Sequence, residues 1–211
     1  MSQAFKNQHH RFYPLLDSVE RLQSLLPTGI KCVQLRIKNL HGDALLAAVT
    51  SAKSLCDSAG CLLVINDHWQ AAIEAGCTYV HLGQEDLDTA DIAAIRSAGI
   101  CIGVSTHDDA ELNRALSLQA DYIALGPVFP TQSKSLHWSA QGLAKVTEWK
   151  SRIGSRPLVA IGGITLAHAP DVLAAGADSL AVIGAVTQAP DPAQACRDWL
   201  TSCDQASAKN I

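Results

Sequence analysis

The chain has 211 residues and a hydrophobic fraction of 48%, enough for a buried core of ordinary size and with no low-complexity stretch that would suggest disorder. Its formal net charge of −4 argues against a general nucleic-acid binder, since affinity for a phosphate backbone needs a basic surface. Met1 to Phe12 lacks the apolar centre of a signal peptide, no apolar run reaches the roughly 20 residues that span a bilayer, and none of the seven cysteines forms a Cys-x-x-Cys pair, so the expectation is a cytoplasmic protein with reduced thiols and no membrane partner.

Short β-type runs alternate with longer segments of helical period. A short extension at about residues 1–11 precedes the first strand, Phe12 to Leu16, and a helix is expected over Val19 to Leu26. The next strand runs from Cys32 to Lys38 and the next helix from Asp43 to Ala59. Strands at Leu62 to Asn66, Tyr79 to Leu82 and Cys101 to Val104 are followed by helices at Trp69 to Ala75, Ala90 to Ala98 and Asp109 to Leu118. Strands at Tyr122 to Leu125, Leu158 to Ile161 and Leu180 to Ile183 precede helices at Ala140 to Arg152, Leu166 to Ala175 and Ala193 to Ser202. Gly60, Gly76, Gly99 and Gly176 each follow an alanine at the end of a helical segment, the usual place for a helix-terminating glycine. About eight strand–helix units without a linker predict a single-domain α/β fold, a compact (β/α)₈ TIM barrel. The rival, an open doubly wound sheet, lacks a Gly-x-Gly-x-x-Gly after the first strand.

Polar residues cluster where these strands end. In Val33-Gln34-Leu35-Arg36-Ile37-Lys38 the two-residue period puts Gln34, Arg36 and Lys38 on one face. Two cations buried in a barrel lumen would cost several kcal/mol per ion if unpaired. They either pair with Asp67 and Asp86 or cradle an anion such as a diphosphate, for which Arg offers a planar fork and Lys a point charge. Asn66-Asp67 and Gly83-Gln84-Glu85-Asp86 end successive strands. Asp67 could cap the helix that begins near Trp69, but two carboxylates at neighbouring strand ends also suit Mg²⁺, which takes one or two carboxylates with waters and phosphates.

Ser105-Thr106-His107 ends the following strand; Ser105 is placed to donate to a phosphate oxygen, while Thr106 or Asp108 could cap the next helix. No Gly-x-Ser-x-Gly elbow surrounds this serine, so no nucleophile is assigned. His81 and His107 read as hydrogen-bonded supporting groups rather than catalysts. The loop after Leu125, shaped by Pro127 and Pro130, carries Thr131, Ser133 and Lys134 and a possible lid over Thr131 to His137. Gly162-Gly163 and Gly184 close the last two strands, where (β/α)₈ enzymes often hold phosphate on backbone N–H groups.

Taken in order, these motifs resemble the thiamine-phosphate synthase family. Gln34 to Lys38 stands for its Gln-Leu-Arg-x-Lys, Asn66-Asp67 for its Asn-Asp, and His81 to Asp86 for its His-Leu-Gly-Gln-x-Asp. Gly103 to His107, Asp121 to Lys134 and Val159 to Ile164 match three further motifs, so the resemblance runs from about Tyr13 to Gln188. It implies an enzyme that joins a hydroxymethylpyrimidine diphosphate to a thiazole phosphate with release of pyrophosphate. Carried across by position, Gln34, Leu35, Arg36, Ile37, Lys38, Asn66, Ser105 and Lys134 would hold the pyrimidine diphosphate. Thr131, Gln132, Ser133, Gly163, Ile183 and Gly184 would hold the thiazole phosphate, and Asp67 and Asp86 would bind Mg²⁺. Arg36, Lys38, Ser105 and Lys134 would then serve catalysis directly. Two positions depart from the family pattern: Ser133 stands for a usual Thr, and Gly184 for a usual Ser. Competing readings are a related thiazole tautomerase, which moves protons on the same fold, and a non-catalytic sensor of thiamine intermediates. Whether the chain forms a homo-oligomer is left open by the sequence.

Overall fold

Most strand residues are buried on both faces and most of them are apolar, the pattern required of a parallel sheet that is covered inside and outside. The computed structural model describes residues 10–131 and 139–208. Its strands are β1 (Phe12–Leu16), β2 (Cys32–Leu35), β3 (Leu62–Asn66), β4 (Tyr79–Leu82), β5 (Cys101–Thr106), β6 (Tyr122–Leu125), β7 (Leu158–Ile161) and β8 (Ser179–Val182). All pair in parallel with their sequence neighbours, and β1 also pairs with β8, closing the barrel. The helices are α1 (Val19–Leu25), α2 (Gly42–Ala59), α3 (Trp69–Glu74), α4 (Ile92–Ser97), α5 (Asp109–Ser117), α6 (Gly142–Ile153), α7 (Ala169–Ala174), α8 (Gly184–Thr187) and α9 (Pro192–Ala208).

The expected TIM barrel is therefore the observed one, with differences at element ends. Strand β2 stops at Leu35 rather than Lys38, because β1 ends at Leu16 and leaves no carbonyls beyond the bond from Arg36 N to Leu16 O (2.7 Å). Strand β5 continues to Thr106 because Ser105 and Thr106 still face Ala124 and Leu125 of β6. Helix α7 starts at Ala169 rather than Leu166, with Pro170 in its first turn, where its missing N–H costs nothing. The short α8 was not expected: Ile183, assigned to the last strand, is instead the residue that caps it. Of the expected N-terminal extension, residues 1–9 lie outside the described residues.

Two apolar clusters hold the barrel. The larger lies between strands and helices and includes Leu35, Ile37, Val49, Ile65, Val104, Trp149 and Trp199. Phe12 of β1 stacks on Trp199 of α9 with ring centroids 5.8 Å apart, joining the last helix to the first strand. The smaller cluster fills the lumen with Tyr13, Leu15, Cys32, Val64, Tyr79, Tyr122, Ala124, Val159 and Ala181. Filled from within, the barrel has a floor, and ligands are confined to the mouth formed by the carboxyl ends of the strands. None of the seven cysteines is joined in a disulfide, and all but Cys101 are buried.

Candidate active site

The mouth opens into a cavity of about 780 Å³. Into it project Gln34, Arg36 and Lys38 from the end of β2, Asn66 and Asp67 from β3, Asp86 from the loop after β4, and Ser105 from β5. On the opposite side stand Thr131, Gly163, Ile183 and Gly184. The groups that sequence reasoning selected thus converge on one rim, with two kinds of exception. Leu35 and Ile37 are 2% and 3% exposed in the cluster beneath the helices, because alternation that sends Gln34 and Arg36 inward sends them outward; only their backbone can serve the site. Gln132, Ser133, Lys134 and the rest of the Thr131 to His137 loop beyond Thr131 lie outside the described residues.

Lys38 Nζ bonds the Asp67 carboxylate, so that cation is paired with one of the two acidic residues the sequence offered it. Arg36 is different: the half-buried guanidinium has no side-chain partner among the described residues. A desolvated cation without a partner marks a place for an anion. Two buried amide atoms in the same mouth, Gln34 Oε1 and Asn66 Nδ2, also lack partners among the described residues, as expected of groups that wait for a ligand.

Asp67 does not cap α3; His68 occupies that position, and no side chain makes the cap bond. Asp67 instead has φ of 62°, a left-handed conformation costly for a residue with a Cβ, and its N–H donates to His81 O at 2.9 Å. That conformation aims its carboxylate at Asp86, whose own Oδ2 accepts the Gly83 N–H at 3.0 Å. The two carboxyl groups are within hydrogen-bond reach of each other. Burial and the neighbouring Asp67 charge push Asp86 above the ordinary carboxylate range. Burial opposes ionisation of Asp67 too, but the Lys38 bond and charge outweigh it and hold Asp67 below that range. Two carboxylates in contact, one of them reluctant to ionise, form a donor pair that a divalent cation would relieve.

Ser105 Oγ lies 2.8 Å from His81 Nε2, and its carbonyl accepts from Gln84 Nε2 at 2.7 Å. Asp108, not Thr106, caps α5, accepting from Glu111 N at 2.9 Å. Thr106 is buried, donating to Ala124 O and accepting from Trp149 Nε1. His107 bonds Glu111 through Nδ1 at 2.7 Å. On the far rim Gly163 has φ of 66°, and a Cβ there would lie 2.5 Å from Pro130 O and 2.7 Å from Phe129 O. Only glycine lets that loop close against the segment leading to Thr131. Sequence reasoning missed Gln188, Glu111 and Tyr13, which also line the mouth; none sits in a motif at a strand end that would have singled it out.

A family model described as thiamine monophosphate synthase matches residues 9–186. The chain is 50% identical to the thiamine-phosphate synthase of Rhizobium etli over 191 residues, covering 90% of this chain and 94% of that protein. It is 48% identical to the thiamine-phosphate synthase of Neisseria meningitidis serogroup A over 182 residues, 86% of this chain and 89% of that one. The chain belongs to the thiamine monophosphate synthase family. It is accordingly an enzyme, a transferase of thiamine biosynthesis. Among solved structures, the thiamine phosphate pyrophosphorylase of Pyrococcus furiosus superposes with a TM-score of 0.83 at 27% identity, covering 94% of this chain and 98% of that one. A 3-hexulose-6-phosphate synthase shares the fold alone, at a TM-score of 0.65 and 16% identity.

Proposed function

We propose that this family member is a thiamine-phosphate synthase that joins a 4-amino-2-methylpyrimidine bearing a 5-(diphosphooxymethyl) group to a thiazole phosphate, giving thiamine phosphate and pyrophosphate. The observation that carries the reading is the Arg36 guanidinium, which pairs with no side chain among the described residues, at the same mouth as the Lys38–Asp67–Asp86 cluster. That rim is built for a polyanion, and the lumen floor beneath it is built for a flat heterocycle: Gln34 Oε1 can accept from an exocyclic amino group while Asn66 Nδ2 donates to the ligand.

In this mechanism the carbon–oxygen bond to the diphosphate breaks first, leaving a pyrimidine-methyl cation that its amino group stabilises. The thiazole nitrogen then attacks that carbon. The protein need supply no nucleophile. Arg36 and Lys38 hold the departing pyrophosphate, and Ser105 donates to one of its oxygens. Lys134, outside the described residues, joins them on the strength of the sequence alone. Thr131, Ser133 and the backbone at Gly163 and Gly184 hold the thiazole phosphate so that its ring nitrogen faces the cation. Asp67 and Asp86 would hold Mg²⁺, which when bound neutralises charge developing on the diphosphate. Small-molecule substrates in the cytoplasm are the partners this reading needs; among the described residues no helix is long and apolar enough to cross a membrane.

The test is pyrophosphate release by purified protein. It should require both substrates and Mg²⁺ together. Release at the same rate from the pyrimidine diphosphate alone would identify a hydrolase instead.

A further inference from the structure

Below the anion-binding rim, the lumen contains a continuous chain of hydrogen bonds drawn from five strands. Gln34 Nε2 of β2 donates to the Tyr13 hydroxyl of β1 at 2.8 Å, and that hydroxyl lies 3.1 Å from the Tyr122 hydroxyl of β6. The Tyr122 hydroxyl is 2.8 Å from His81 Nδ1 of β4, and His81 Nε2 is 2.8 Å from Ser105 Oγ of β5. Gln34, Tyr13, Tyr122 and His81 are 2%, 1%, 0% and 7% exposed, so the chain runs through the interior. An apolar floor of the same volume would avoid the desolvation of four polar side chains, so the arrangement has to be explained by what it does at its open end.

The order of donors follows from one end. Gln34 has committed an amide N–H to Tyr13, whose oxygen is therefore an acceptor there. Burial holds both phenols well above their ordinary range, so each keeps its single proton. With its oxygen already accepting from Gln34, Tyr13 is assigned as the donor to the Tyr122 hydroxyl 3.1 Å away. Tyr122 then has its proton to give to His81 Nδ1. A ring nitrogen that accepts leaves the other to carry the hydrogen, so Nε2–H points at Ser105. Ser105 accepts from behind, and its own O–H is turned toward the cavity. Two packing features hold the geometry: the His81 and Tyr122 rings stack with centroids 5.5 Å apart, and Gly103, the cross-strand neighbour of Tyr122, leaves the space its ring needs.

We infer that Gln34, Tyr13, Tyr122 and His81 form a positioning relay that fixes His81 as the Nε2–H tautomer and so presents Ser105 to the bound anion as a donor rather than an acceptor. The inference rests on the role given to Ser105 above, but the tautomer can be measured without substrate. No proton is transferred along the relay; each bond only sets the direction of the next.

The experiment uses the full chain with ¹⁵N-labelled histidine and long-range ¹H–¹⁵N spectra. His81 should show a protonated Nε2 and a bare Nδ1 in the unmutated protein, and Tyr122→Phe should convert it to a mixture. A bare Nε2 in the unmutated protein overturns the relay whatever the variants do. Two substitutions supply the kinetic arm. A Gln at position 81 offers an N–H near the place of Nε2, whereas an Asn offers it near the place of Nδ1. His81→Gln should therefore keep kcat within about tenfold of the parent, while His81→Asn falls as far as Ser105→Ala, the scale of one lost hydrogen bond to a charged group. KM for the thiazole phosphate should stay unchanged in all three. Equal losses in the Gln and Asn variants overturn the relay. An undiminished Ser105→Ala, with the expected tautomer intact, would instead overturn the role of Ser105 and leave the relay as a feature of the fold.

Discussion

Gly103 lies flush against the ring of Tyr122: a Cβ at position 103 would stand 2.0 Å from Tyr122 Cζ and 2.5 Å from its hydroxyl oxygen. The two are direct cross-strand partners, so the aromatic ring occupies the volume that a side chain on β5 would otherwise fill. Gly103→Ala should destabilise the barrel by about 1–3 kcal/mol, the usual cost of overpacking a filled core. A urea titration reads this as a lower midpoint with an unchanged slope. Because the ring can yield only by moving its hydroxyl away from His81, kcat should fall as well. An alanine variant as stable as the parent would mean that the ring has room it is not using.

The acidic pair gives a prediction with a definite sign. Asp86 is raised above its unfolded value, so its contribution to stability is present at low pH and is lost as pH rises through its folded value. Asp67 is lowered, so its pairing with Lys38 contributes above its unfolded value and is lost as pH falls through the folded one. In metal-free protein at neutral pH, Asp86→Asn should therefore raise Tm, and Asp67→Asn should lower it by stranding Lys38. Mg²⁺ should raise the Tm of the parent, less so as acid protonates Asp86, and should leave both variants unchanged. A Mg²⁺-dependent rise that survives in both would place the ion elsewhere.

Arg36 separates binding from stability. Its guanidinium pairs with no side chain among the described residues, so Arg36→Ala should change Tm little. Loss of charge-assisted bonds to the diphosphate, about 1.5–3 kcal/mol each, should lower kcat/KM by roughly 10- to 150-fold. Arg36→Lys should restore only part of this, since an ammonium cannot reproduce the planar fork. A large fall in Tm with little change in kcat/KM would reassign the residue to the fold.

These residues also mark how far the sequence could be read. Arg36, Asp67 and Asp86 were legible because each lies just past the end of an apolar strand, and in a parallel barrel all strand ends meet at one mouth. Leu35 and Ile37 entered the expected site with their motif, although the same period that selected Arg36 turns them toward the helices. The relay was not legible. Tyr13 and Tyr122 are 109 residues apart, and their contact follows from barrel closure and register, which no local pattern encodes. The single turn of α8 escaped for a related reason: four residues are too few to display a helical period, and Ile183 reads as a continuation of an apolar strand.

The thiols offer a check on burial. Cys77 and Cys196 are pushed up to about 11 and Cys203 to about 12, in each case by desolvation first. Only the thiolate reacts at an appreciable rate, so the folded protein at pH 8 should release little colour with a disulfide reagent, from Cys101 at most. In denaturant all seven should react. Fast reaction of several thiols in the folded state would show a barrel wall that opens.

The last prediction concerns Gly184, which lines the far rim at the position where the family resemblance drawn from the sequence implies a serine. A Cβ at Gly184 would lie 3.2 Å from Gln188 Oε1 and 3.3 Å from Gln188 Cδ, a close approach but not a collision. Gln188 is exposed, so its side chain can move a few tenths of an ångström at little cost. Gly184→Ser should therefore fold normally and add one hydroxyl donor beside the proposed thiazole-phosphate site. One neutral hydrogen bond contributes about 0.5–1.5 kcal/mol net, which corresponds to a KM for the thiazole phosphate about 2- to 12-fold lower. KM for the pyrimidine diphosphate, bound across the mouth, should not change. A higher KM for the thiazole phosphate would mean that the Gln188 amide already occupies the position the serine hydroxyl would take, and Gln188→Ala would then weaken the same substrate in the parent chain.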